Sequence, residues 1–92
     1  MKPNPKLIDL AIKICHTNEH DFWHSRKKEA IYARVILYLY YRRKEYTMEA
    51  IAEAFNKTHG TICHLIKTYY LGKRPDELFN RYYVEFINTV EP

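Results

Sequence analysis

Residues 35–41 read Val-Ile-Leu-Tyr-Leu-Tyr-Tyr, seven apolar or aromatic side chains in a row. Such a run can be a buried strand or a buried helix, because it is apolar on every face. Its flanks decide. The preceding Lys-Lys-Glu-Ala-Ile-Tyr-Ala-Arg favours helix, and no glycine or proline interrupts residues 26–44. The segment therefore reads as one helix over 26–44. Ser25 stands at its N-cap, and Arg42, Arg43 and Lys44 lie at the negative end of its dipole. A helix apolar on all sides must be surrounded, so the other elements have to be built around it.

The chain of 92 residues suits one small domain with a thin core, spanning 1–92. Asn4-Pro5 supplies an N-cap and a first-turn proline for a helix over 5–16. Leu7, Ile8, Ala11, Ile12 and Cys15 form its apolar stripe. Residues 16–24 are polar and irregular and read as a loop or short turn, with Phe22 and Trp23 plugging the core. Thr47 caps a short helix whose inner face is Met48, Ile51, Ala52 and Phe55. After a break at Asn56-Lys57-Thr58, a helix over 59–71 turns Ile62, Leu65, Ile66 and Tyr69 inward. Gly72 suits the C′ position there, and Pro75 the first position of a last helix over 75–90. Two glycines and four prolines are few for an all-β domain. The expected fold is all-α, with about five helices.

Several function classes fall away. There is no apolar stretch of membrane-spanning length and no signal-peptide core, so a cytoplasmic protein is expected. Cys15 and Cys63 are too few for a disulfide framework. No glycine-rich phosphate loop occurs, so no bound nucleotide is expected. The groups Cys15, His16, His20, His24 and His59, Cys63, His64 lack a paired C-x-x-C, and no third group orients Cys63 and His59. Neither a metal nor another cofactor is expected, and the chain does not read as an enzyme.

Charge is segregated. The net charge is +4 overall. Residues 25–46 alone carry +5, residues 47–75 carry +2, and residues 76–92 carry −3. A basic middle points to a polyanion partner, with a solvated lysine-rich face as the plain alternative. Within the basic half, two short helices, 48–55 and 59–71, joined by about three residues describe a helix-turn-helix over 47–71. That arrangement presents the start of its second helix to a DNA major groove.

The run Phe55-Asn56-Lys57-Thr58-His59-Gly60-Thr61-Ile62-Cys63-His64 resembles the signature of the C-terminal DNA-binding domain of the DnaA replication initiator, in the Trp-repressor-like superfamily. Lys57, His59, Thr61, Ile62 and His64 stand at matching places. Upstream, Thr47 and the residues to Phe55 are similar to the family's preceding helix, and Ala33-Arg34 to its Ala-Arg pair. Arg26, Lys27 and Lys28 lie where the family has a basic loop whose arginine enters the minor groove. The resemblance covers about residues 21–90. Thr58 replaces the family's aspartate and Gly60 its first threonine, one turn residue is missing before Lys57, and Val35 replaces a polar residue.

The resemblance implies a stand-alone double-stranded DNA-binding domain without the ATPase module, regulating replication or transcription. It also implies a site. Thr58, His59, Gly60, Thr61 and His64 lie at the groove-facing start of the helix. Lys57 stands at the family's basic place, and Arg26, Lys27 and Lys28 form the minor-groove loop. From the residues themselves, Arg34, Arg42 and Lys67 are expected to neutralise phosphates. From the residues alone, Thr61 could instead be the true N-cap, with Gly60 outside the helix. The nine tyrosines leave a second reading open. It is a non-catalytic interaction module that keeps the fold but has lost base-specific DNA reading, and binds a protein partner or itself through tyrosine-rich helices.

Overall fold

The computed structural model describes residues 1–72 and 76–91 of the chain. Six helices run through them: α1 (Pro5–Cys15), α2 (Glu19–His24), α3 (Lys28–Arg43), α4 (Met48–Ala54), α5 (His59–Tyr69) and α6 (Glu77–Val90). The fold is all-α. Helix α3 contacts each of the other five. Every residue from 32 to 39 is buried, as an all-apolar helix requires. Tyr32, Tyr38, Phe22, Phe79 and Phe86 are the largest fully buried side chains. Burying each contributes on the order of 1.5–3 kcal/mol.

The caps explain most boundaries. Asn4 Oδ1 accepts from the Lys6 amide, and Pro5 opens α1 as expected. Thr47 Oγ1 accepts from the Ala50 amide to start α4. Helix α6 is capped by Asp76, whose carboxylate accepts from the Phe79 amide at 3.0 Å. The same carboxylate accepts from the Tyr32 hydroxyl at 2.6 Å, tying α6 to α3. The expected role of Pro75 falls outside the described residues. Gly72 does not adopt a left-handed conformation. A Cβ there would lie 3.1 Å from the Lys67 carbonyl oxygen, so close approach is what favours glycine. Left-handed residues at the helix ends are instead His16, Glu45 and Asn56.

Two expectations are corrected around residue 25. Residues 19–24 are a helix, not a loop. Asn18 caps it by accepting from the Asp21 amide, and Glu19 and Asp21 favour its positive end. Ser25 therefore does not start the central helix. Its amide donates to the Asp21 carbonyl, closing α2, and α3 begins at Lys28. Phe22 plugs the core as expected, whereas Trp23 is only half-buried, 4.9 Å from Phe22 and 6.0 Å from Phe55 between ring centres. No helix among the described residues is long and apolar enough to cross a membrane.

Candidate nucleic-acid interface

Helix α5 begins at His59, with Thr58 as its cap, so Thr61 lies inside the helix and not at its start. Thr58 Oγ1 accepts from the Thr61 amide at 3.1 Å, and the two threonine hydroxyls lie 2.9 Å apart. Thr58 thus acts as the N-cap of α5. The first turn of α5 contains no acidic residue, unlike those of α2, α3, α4 and α6. The positive end of its dipole is uncompensated by side-chain charge and suits an anion.

His59, Gly60, Thr61, His64 and Lys67 are all exposed on one stretch of this helix. A Cβ built on Gly60 meets nothing within 4 Å, so the fold itself does not require glycine there. The His59 ring nitrogens lie 3.8 Å from Cys63 Sγ. Lys57 is exposed in the turn, its amide donating to the Ala52 carbonyl at 2.8 Å. The left-handed Asn56, φ 54°, reverses the chain between α4 and α5.

The basic loop is also at the surface. Arg26, Lys27 and Lys28 are exposed. Lys27 and Lys28 occupy the N-cap and first position of α3, where a cation opposes the dipole. Neither placement helps the helix. Lys27 Nζ lies 3.8 Å from Asp21, a long pair with its lysine exposed and of little energetic weight.

Arg34 is placed otherwise than expected. It is 7% exposed, and its guanidinium donates to the carbonyls of Phe22 at 2.6 Å, Ser25 at 2.8 Å and Asp21 at 3.3 Å. Burial lowers its pKa, and the neighbouring Tyr38 hydroxyl opposes that by favouring the charged form. With these bonds made, Arg34 is a clamp on the end of α2, not a free phosphate contact. The sequence shows an arginine before an apolar run in either case, and only the fold of α2 brings the three carbonyls to it.

Six of the remaining candidate residues divide between two clefts flanking α5. Arg26, Lys57, Thr61 and His64 converge on a cleft of about 660 Å³ between the α2–α3 junction and α5. Trp23, His24, Ile31 and Leu65 complete its walls, and Arg34 and Tyr38 also line it. No acidic side chain lines it. Arg42 and Lys67 lie instead at the rim of an apolar cleft of about 290 Å³, with Leu39, Met48, Ile66 and Leu71. Arg42 donates to the Tyr46 carbonyl at 3.1 Å. Its neighbours Arg43 and Lys44 pair with Glu91. Lys27, Lys28, Thr58, His59 and Gly60 line neither cleft.

Sequence reasoning missed Trp23, His24 and Tyr38 as cleft residues. The adjacency of Trp23-His24 to the basic loop was the available signal. Most tyrosines are at least half-buried; the exposed large apolar side chains are Met1, Tyr46, Tyr70, Leu71, Leu78 and Val84. Cys15 is buried, and that burial, with a smaller contribution from Glu85, pushes its thiol up to about 12, away from thiolate chemistry. Among the described residues, no group of three or more His, Cys, Asp or Glu side chains could hold a metal ion. In comparisons with known proteins, no family model matches the chain, and neither a curated protein nor a solved structure matches it.

Proposed function

We propose that this chain binds double-stranded DNA through α4 and α5 used as a helix-turn-helix. Helix α5 enters the major groove, and Arg26, Lys27 and Lys28 sit at the adjacent minor groove. The observation that carries this reading is the acid-free cleft, where cations from two separate loops converge with the exposed start of α5. Backbone contacts from Arg26 and Lys57 would set the register, and His59 and Thr61 would meet base edges. The absent side chain at Gly60 allows close approach of DNA to the α5 backbone. The role is non-catalytic, and it regulates replication or transcription, as in the family the sequence resembles.

Gel shift with random duplex followed by salt titration tests the reading. Affinity is expected to fall with salt, with a slope of about −0.9 per phosphate neutralised. No duplex binding at about 50 mM salt, where such contacts are strong, sinks it. The second reading is an interaction module, favoured by the exposed Tyr70, Leu71, Leu78 and Val84. It predicts complexes whose stability depends on those residues and not on Arg26 or Lys57.

A further inference from the structure

The cleft between the α2–α3 junction and α5 is larger than a backbone phosphate needs. Its volume, about 660 Å³, falls in the range of pockets that enclose whole small ligands. One part of the wall is apolar, formed by Trp23, Ile31 and Leu65, and the other is cationic or imidazole-bearing, with Arg26, Lys57, His24 and His64. Tyr38 adds an independent observation. It lines this cleft and is fully buried, and its hydroxyl faces the Arg34 guanidinium without a well-formed hydrogen bond. A guanidinium can only donate, so the Tyr38 hydroxyl proton has no acceptor among the described residues.

We infer that the cleft takes an unpaired nucleotide of a DNA strand. The base lies against Trp23 and Leu65, the phosphate lies between Arg26 and Lys57, and the Tyr38 hydroxyl bonds a polar edge. Aromatic wall plus cationic rim is the combination by which proteins hold single strands. His24 and His64 add hydrogen-bonding groups for a base edge. The inference rests on the duplex-binding reading only in taking DNA as the source of the nucleotide. A strand that leaves a duplex near the cleft would place its first unpaired residue there.

Trp23 is the only tryptophan in the chain and reports directly on the cleft. The probes are a single-stranded oligothymidine and an abasic strand of equal length, which carries the same phosphates and no bases. Oligothymidine is expected to change Trp23 fluorescence saturably and to bind at least about fivefold tighter than the abasic strand. Equal binding of the two overturns the inference. Tyr38→Phe removes a buried hydroxyl whose proton has no acceptor among the described residues, and urea unfolding checks that the variant still folds. It should bind oligothymidine about three- to tenfold more weakly and leave the abasic strand unchanged. His24→Ala should also weaken oligothymidine binding more than abasic-strand binding. Unchanged oligothymidine binding in both variants overturns the inference. A blunt duplex titrated in parallel keeps the two readings apart. If the duplex does not bind but oligothymidine does, the duplex reading falls and the cleft assignment stands; the reverse result removes only the cleft assignment.

Discussion

The two clefts beside α5 are built from the same helix and differ in what they present. The cleft at its start joins cationic side chains from two loops over a floor of Arg34 and Tyr38. The cleft toward its end is lined by Leu39, Met48, Ile66, Tyr70 and Leu71, with Arg42 and Lys67 at the rim. Charge gathered around polar groups suits a strand of nucleic acid, and an apolar hollow with a charged rim suits a protein side chain. The contrast extends to two arginines eight positions apart. Arg26 is exposed, while Arg34 is enclosed by three carbonyls. Residue type alone does not separate a contact from a clamp; the number of backbone acceptors within reach does.

The largest expected effect is at the clamp. Arg34→Met leaves three carbonyls without their donor and should cost roughly 2–4 kcal/mol in urea unfolding. Arg26→Ala should leave the unfolding midpoint within about 0.5 kcal/mol of the parent, as surface changes do, while weakening duplex binding. Equal stability for both variants would erase the distinction between the two arginines.

Next comes reading. His59→Ala and Thr61→Ala should each cost roughly 1–3 kcal/mol on a selected site and little on random duplex. Competitive binding to both DNAs measures the difference. Equal losses on the two would show that α5 does not read bases.

The clefts themselves are compared by salt. Lys57→Ala is expected to flatten the salt dependence by about one phosphate's worth. Arg42→Ala and Lys67→Ala should do the same only when the duplex reaches around to the apolar side. Slopes unchanged in both variants would confine DNA to the first cleft and leave the second to a protein.

A smaller effect concerns pH. Partial burial acts to raise the Asp76 pKa, but the Tyr32 hydroxyl, the Phe79 amide and the charge of Lys28 outweigh it and hold the carboxyl below its usual range. A depressed folded-state pKa gives stability that is complete above the unfolded value, about 4, and is lost as pH falls through the folded value. Asp76→Asn should flatten that acid-side decline, followed by helical circular dichroism. An unchanged decline would mean that other carboxylates dominate it. The smallest effect is expected at Gly60→Ala, a gain of up to about 1 kcal/mol in stability, with weaker duplex binding because the added methyl faces outward.

The helical pattern was legible wherever a residue's own neighbours settle it. The apolar run at 35–41 marks the central helix, and Asn4 and Thr47 mark two helix starts. Helix α2 was missed because six residues give too little periodicity, although Asn18 and Asp21 carried its cap. The cleft was legible only in part. Lys57, Thr61 and His64 lie close together in sequence, whereas Trp23, His24 and Tyr38 reach it from α2 and α3 through tertiary packing. Arg34 was misplaced for the same reason, since its partners are nine to thirteen positions away along the chain.

In the proposed duplex complex, the paired hydroxyls of Thr58 and Thr61 bear on how selective a base contact can be. Thr61 rests on a satisfied internal partner, so turning its hydroxyl toward DNA requires breaking that contact. The amide bond to Thr58 survives the rotation, and the helix start is not lost. A base edge with a well-placed donor or acceptor replaces the broken contact, and a poorly aligned one does not. Thr61 would then respond to sequence as a threshold and remain silent on mismatched sites, where a solvent-facing hydroxyl would give a graded response.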